Sequence, residues 1–164
     1  MSNTEKNLQT AFAGESQANR KYLAFAQKAD LEGYKGVAKL FRAAAEAETI
    51  HAMSHLKELG YNKSTEENLK SAIAGETHEF TEMYPAFIKE AEIDNNKGAL
   101  IAFKRANAAE EVHANLYKKA LSFVQEKKDA NYFVCPVCGF IAENEIPDVC
   151  PICGTNHKTF KEIM

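Results

Sequence analysis

The segment AFAGES at residues 11–16 returns as AIAGET at 72–77, and ETIHA at 48–52 returns as EEVHA at 110–114. The first pair is offset by 61 residues and the second by 62. A unit of that length holds two helices and a turn. Leu8, Phe12, Tyr22, Phe25 and Ala29 recur at helical spacing from Thr4 to about Glu32, where EGYKG breaks the pattern. A second helix runs from about Tyr34 to Leu59 and is closed by Gly60. In STEE, Ser64 or Thr65 supplies the N-cap of a third helix to about Ile93, with Pro85 placed to kink it. DNNKG then turns the chain into a fourth helix ending near Glu126. The expected fold class is mainly α: two duplicated helical hairpins.

The repeat pairs Glu15 with Glu76, Glu48 with Glu110 and His51 with His113. Residues three apart share one helix face. In AETIHAMSH, that face belongs to an alanine-rich stretch that helices bury. A single Glu-x-x-His occurs often by chance in a helical protein and reads as a solvated ion pair. Two copies, each matched by a glutamate from the paired helix, form the inward ligand set of a dinuclear four-helix bundle of the ferritin-like kind. Carboxylate and imidazole donors suit Fe(II) or Mn(II). The repeat fails at one informative place: three residues after Glu15 stands Ala18, but three after Glu76 stands Glu79. Glu15, Glu48, Glu76 and Glu110 already balance two ferrous ions. A fifth carboxylate becomes most useful when iron is oxidised, so a redox-active site is expected.

All four cysteines fall in the last thirty residues, in CPVCG and CPICG. The expected division is 1–130 for the helices and 131–164 for a cysteine module, joined through the polar KKDAN. Cys135, Cys138, Cys150 and Cys153 have the spacing of a tetrahedral thiolate site, and spacing alone leaves zinc and iron equally open. So short a module cannot bury enough core to fold unaided. Disulfides are the weaker alternative, because both pairs have the x-x spacing of metal knuckles.

Composition excludes several classes. With 45% hydrophobic and 26% charged residues the chain is globular, and no apolar run approaches a membrane span. The net charge of −3 and the lack of a Lys/Arg cluster exclude a nucleic-acid partner. The start MSNTEKNLQT has no apolar export segment, so a cytoplasmic location is expected. No phosphate loop, Ser-His-Asp set or nicotinamide fingerprint stands out. His55 and His78, without twins in the repeat, read as packing or supporting groups, and His157 as a surface residue. Met53 and Phe12, Phe25, Phe80, Phe87 and Phe103 read as core.

The segments AGES, ETIHA, AGETHEFTEMYP and EEVHA, followed by two CPxCG knuckles, resemble the rubrerythrin family over essentially the whole chain. The resemblance implies a ferritin-like four-helix bundle followed by a rubredoxin-like domain. It implies two irons with oxo and carboxylate bridging: Glu48 and Glu110 bridge, Glu15 is terminal on one iron, and Glu76 and His113 bind the other. Glu79 and His51 exchange as ligands to the first iron with oxidation state. Tyr22 and Tyr84 match tyrosines that hydrogen-bond near the irons, their alternative being core packing. It favours iron over zinc in the four-cysteine site.

Hydrogen peroxide is the implied substrate, reduced to water in protection against oxidative stress. Electrons pass through the thiolate-bound iron from an NAD(P)H-linked partner reductase or a rubredoxin. The rivals are a ferritin-like ferroxidase or iron store, and a helical bundle whose zinc ribbon serves a partner. In the ferritin-like arrangement helices two and three run parallel, so their link must travel roughly 39 Å, the length of a helix of about 26 residues. The residues between Leu59 and Thr65 reach about 20 Å at full extension. The expected solution is a domain-swapped homodimer, with an up-down-up-down monomer as the alternative.

Overall fold

The computed structural model describes residues 2–164. Its helices are α1 (Asn3–Leu31), α2 (Lys35–Glu58), α3 (Thr65–His78), α4 (Tyr84–Ile93) and α5 (Lys97–Ser122), with a π-helical turn at Glu79–Met83 between α3 and α4. A small antiparallel sheet follows, made of β1 (Tyr132–Val134), β2 (Ile141–Glu143) and β3 (Lys161–Ile163) in the order β2-β1-β3. Phe133 pairs with Ala142 on one side and with Glu162 on the other. The chain divides into two compact units, one ending at Lys63 and one spanning Ser64–Met164.

Local chemistry sets the ends. Ser2 caps α1 by accepting the Glu5 N–H at 3.1 Å. Ser64 caps α3 in a capping box with Glu67, so the N-cap is Ser64 and Thr65 is the first helical residue. The two hairpin turns are copies of each other. Tyr34 N–H donates to Ala29 O at 2.8 Å and Asn96 N–H to Ala91 O at 3.0 Å. The left-handed position is Gly33 (φ 83°) in one turn and Asn95 (φ 53°) in the other. The stems are copied too: Arg42 pairs with Asp30 at 2.7 Å, and Lys104 with Glu92 at 2.9 Å.

The π turn explains why the repeat offset changes. Glu15 and Glu76 are 61 apart whereas Tyr22 and Tyr84 are 62 apart, so one extra residue lies between Glu76 and Tyr84. The Tyr84 N–H donates to the Glu79 carbonyl, five residues back, which absorbs that residue without ending the helix. Pro85, having no N–H to give, stands just past it in the first turn of α4. Helix three is therefore interrupted at Glu79–Met83, ahead of the proline expected to kink it.

The buried residues of the helices are alanines: Ala26, Ala29, Ala38, Ala45, Ala52, Ala91, Ala109 and Ala114. Small side chains let paired helices approach closely, but they leave the larger apolar residues on outer faces. Phe25, Phe87 and Met53, expected in the core, are 48%, 42% and 54% exposed. No helix among the described residues is long and apolar enough to cross a membrane.

Candidate metal centres

Within the first unit, α1 and α2 bring Glu15, Glu48 and His51 together, with candidate ligand atoms all within 4.8 Å of one another. Glu48 and His51 meet because they are three apart on α2, with His51 Nδ1 at 3.0 Å from Glu48 Oε2. Glu15 must come from α1, and the register is pinned one turn on. Asn19 donates from Nδ2 to the Ala45 carbonyl at 2.7 Å and to Thr49 Oγ1 at 2.8 Å.

Within the second unit, α3 and α5 assemble Glu76, Glu110 and His113 in the same way. His113 Nδ1 lies 2.7 Å from Glu110 Oε2 and 4.0 Å from Glu76 Oε2. The other ring nitrogen, Nε2, lies 2.9 Å from the Gly139 carbonyl. A carbonyl only accepts, so Nε2 carries a hydrogen, and Nδ1, the nitrogen facing the carboxylates, is the ring atom left for a metal to take in place of a proton. This is the tautomer a metal-binding imidazole needs. Lys119 of α5 also pairs with Glu143 of β2, which ties the sheet to the helix.

Electrostatics in this second group ask for a cation. Burial, and then the hydrogen bond and negative charge of Glu110, raise the Glu76 carboxyl to about 7, against an opposing pull from His113. Two carboxylates held this close share a proton unless a metal replaces it. Burial also raises the Tyr84 phenol, with Glu110, Glu79 and Glu76 adding to the effect. Tyr117 is raised by burial and by Glu76 and Glu110. Glu79 opens the π turn and lies outside the close group, although its charge reaches Tyr84.

Tyr22 and Tyr84 each sit in a triad of rings. Tyr22, Phe25 and Phe41 have centroids 5.5–6.3 Å apart, and Tyr84, Phe87 and Phe103 have them 5.6–6.2 Å apart. Tyr117 was not singled out in the sequence because the repeat does not copy it: the matching position holds His55. The available signal was its place four residues after His113, on the same helix face. His78 pairs with Glu82 at 3.3 Å in an exposed contact, and His157 Nδ1 lies 3.2 Å from the Asp148 carbonyl.

Cys135, Cys138, Cys150 and Cys153 converge at the tips of two knuckles. Their sulfurs stand 3.6 Å apart for Cys135–Cys153 and 3.5 Å for Cys138–Cys150. Disulfide sulfurs are about 2.05 Å apart. A tetrahedron of thiolates about 2.3 Å from a metal has edges near 3.8 Å, which these distances approach. Burial pushes the Cys138 thiol up. For Cys153 burial also acts upward, but hydrogen bonds from the Thr155 side chain and backbone bring it down to about 6. The donor sets thus fit the expected groups, with oxygen and nitrogen ligands for iron in the helices and four sulfurs for a single iron or zinc in the module.

The rubrerythrin family model matches residues 6–121, and the model of the rubredoxin-like domain of rubrerythrin matches residues 133–161. Nigerythrin of Nitratidesulfovibrio vulgaris is 40% identical over 171 residues, covering 96% of this chain and 85% of its own. Rubrerythrin-2 of Clostridium acetobutylicum is 37% identical, covering 94% and 93%. The solved structure described as the fully reduced, all-ferrous state of nigerythrin superposes with a TM-score of 0.61 at 36% identity, over 99% of this chain and 88% of that one. With its duplicated Glu/His hairpins and its four-cysteine knuckles, the chain belongs to the rubrerythrin family of iron-binding, ferritin-like oxidoreductases.

Proposed function

We propose that this protein reduces hydrogen peroxide to water at a di-iron site, with electrons relayed through iron in the four-cysteine module. The site is held by Glu15, Glu48, His51, Glu76, Glu79, Glu110 and His113. The observation that carries the reading is the hydrogen bond from His113 Nε2 to the Gly139 carbonyl. It joins a candidate ligand of the helical site to the residue following Cys138, a short bonded path that an iron store or a merely structural ribbon does not require.

Iron held by these helix residues would supply the two electrons for H2O2 + 2 e− + 2 H+ → 2 H2O. The chain's own residues prepare that chemistry. His113 is oriented by Gly139, while Glu76 and Glu110 attract cations. Tyr84 and Tyr117, raised by burial and by the nearby carboxylates, keep their phenolic protons. Glu79, one turn from Glu76 at the mouth of the π turn, is the carboxylate free to approach an oxidised site.

Electrons come from a partner, a rubredoxin or an NAD(P)H-linked reductase, in the cytoplasm. The division of labour follows the change of composition near residue 130. The functional form is a domain-swapped homodimer, in which Glu15, Glu48 and His51 of one chain complete a site with the second hairpin of its partner. Two features support the swap: the short link at 59–64, and hairpins that bury only alanines while Leu40 and Ile50 stay 69% and 63% exposed.

Cys150→Ser tests the relay. The variant should lose peroxide reduction driven by NADH, a reductase and rubredoxin. Dithionite-reduced variant should still consume about one peroxide per dinuclear site, the stoichiometry of a two-electron step. Equal loss in both assays sinks the relay.

A further inference from the structure

The two cysteine knuckles are near copies. In the first, Cys135 N–H donates to the Phe140 carbonyl at 2.9 Å and Gly139 N–H to Cys135 O at 3.0 Å. In the second, Cys150 N–H donates to the Thr155 carbonyl at 2.8 Å and Gly154 N–H to Cys150 O at 2.9 Å. Gly139 and Gly154 share the left-handed backbone, at φ 80° and 73°. In both, the backbone N–H two residues beyond the second cysteine reaches its sulfur: Phe140 to Cys138 and Thr155 to Cys153.

The copies differ in what that residue carries. Phe140 turns its ring against Phe160, with centroids 6.3 Å apart. Thr155 places its hydroxyl 3.1 Å from Cys153 Sγ. The backbone holds it there: its carbonyl is taken by Cys150, and Asn156 beside it bridges to Val149. When Cys153 is a thiolate, sulfur has no hydrogen to give and the hydroxyl is the donor.

We propose that Thr155 is a positioning residue that sets the reduction potential of the four-cysteine centre, its hydroxyl donating an O–H···S hydrogen bond to Cys153 that favours the reduced form. The proposal rests on reading that centre as a one-electron iron site. Taking up one electron from an external donor changes a ferric four-thiolate site from one negative charge to two, with no proton gained and no bond to sulfur broken. A donor hydrogen bond is stronger to the more negative sulfur, so it stabilises the ferrous form more than the ferric. The first knuckle has no side-chain donor in the matching place, and the hydroxyl biases one knuckle alone.

Mediated redox titration of the full-length, iron-reconstituted chain tests this. Thr155→Val keeps the shape and removes the donor. It should shift the ferric/ferrous ratio at fixed ambient potential about tenfold towards ferric, which is about 59 mV for one electron. The sulfur-to-iron charge-transfer band should move to longer wavelength. Thr155→Ser keeps the hydroxyl and should hold both readouts near wild type. A valine variant with wild-type potential and spectrum overturns the proposal, and so does a serine variant that falls as far as valine. If Thr155→Val and Thr155→Ala both fail to take up iron while Thr155→Ser succeeds or fails alike, the residue is structural and the proposal is overturned. Zinc in protein from its native source defeats the relay reading instead, since the titration is run on reconstituted iron.

Discussion

The two hairpins share a scaffold and differ in what their matching ligand sites can touch. Both have the same turn, the same stem ion pair, the same ring triad and a Glu-Glu-His group in the same place. Yet His51 is 56% exposed, whereas His113 is 16% exposed and bonded to Gly139. The second hairpin alone carries the π turn and Glu79. Its α5 has Asn107 where α2 has the buried Ala45, and it bears the cysteine sheet through Lys119 and Glu143. Duplication supplies two matching Glu-Glu-His groups, one per unit, and the departures from symmetry fall in the second.

The largest test of this division is complementation. Glu48→Ala breaks only the first hairpin and Glu76→Ala only the second. Each variant alone should lose peroxidase activity. Co-refolded in equal amounts, half the dimers are mixed, and in a swapped mixed dimer both lesions fall in one bundle. About a quarter of the wild-type activity should return. No recovery, together with a monomeric mass in solution, removes the swap and leaves two hairpins closing within one chain.

The next effect is smaller and concerns the residue without a twin. Glu79→Gln should retain iron at wild-type stoichiometry but slow peroxide turnover about 10- to 100-fold, the range seen when a group supporting a metal site is lost. Iron content falling as far as in Glu48→Ala would make Glu79 an ordinary capture ligand, and the asymmetry would lose its meaning.

How much of this contrast was legible in the sequence depends on the range of the interaction. The first two helices and the turn positions followed from apolar spacing, from the EGYKG and DNNKG breakers and from Ser64, because capping and left-handed turns are local, whereas the third and fourth helices end earlier than expected, at His78 and Ser122. The meeting of Glu48 with His51 is equally local. The π turn left only an indirect trace, the change of offset from 61 to 62, since an i+5 hydrogen bond has no residue signature of its own. The His113–Gly139 and Thr155–Cys153 contacts were invisible for another reason. The first joins residues brought together only by tertiary packing, and the second is a common side chain whose meaning lies in a 3.1 Å distance. The exposure of Met53 and Phe25 was misread because periodicity finds an apolar face without telling what covers it.

A pH measurement sharpens the comparison at the second group. In the metal-free chain Glu76 titrates at about 7, against an ordinary 4.5. Between those values the folded chain holds a proton that the unfolded chain has released, so stability falls as pH rises from 4.5 to 7 and levels off above. At 1.36 kcal/mol per unit the shift amounts to about 3 kcal/mol, which solvent screening at a partly open site reduces to roughly 1–2 kcal/mol. Urea titration of chelator-treated protein at pH 5 and pH 8 should show that loss, and Glu76→Gln should remove it. An unchanged pH slope in the variant means that Glu76 and Glu110 do not strain one another. Metal uptake then gains nothing from relieving them.

The smallest expected effect tests how alike the scaffolds are. The two turns use the same hydrogen bonds but give the left-handed residue to Gly33 in one and Asn95 in the other. Glycine adopts that region freely, and for L-residues it costs about 1–2 kcal/mol, with asparagine at the low end because its side chain bonds locally. Nothing lies within 4 Å of where a Cβ on Gly33 would stand, so a side chain there meets strain from its backbone alone. Gly33→Asn should therefore destabilise the first hairpin by less than about 1 kcal/mol, and Asn95→Gly should stabilise the second by a similar fraction. Equal and opposite shifts in urea midpoint, at constant slope, would mean that the turns are interchangeable parts of one duplicated scaffold. If Gly33→Asn instead costs several times what Asn95→Gly returns, the first turn is under a constraint that the second is not, and the likeness of the hairpins ends at their stems.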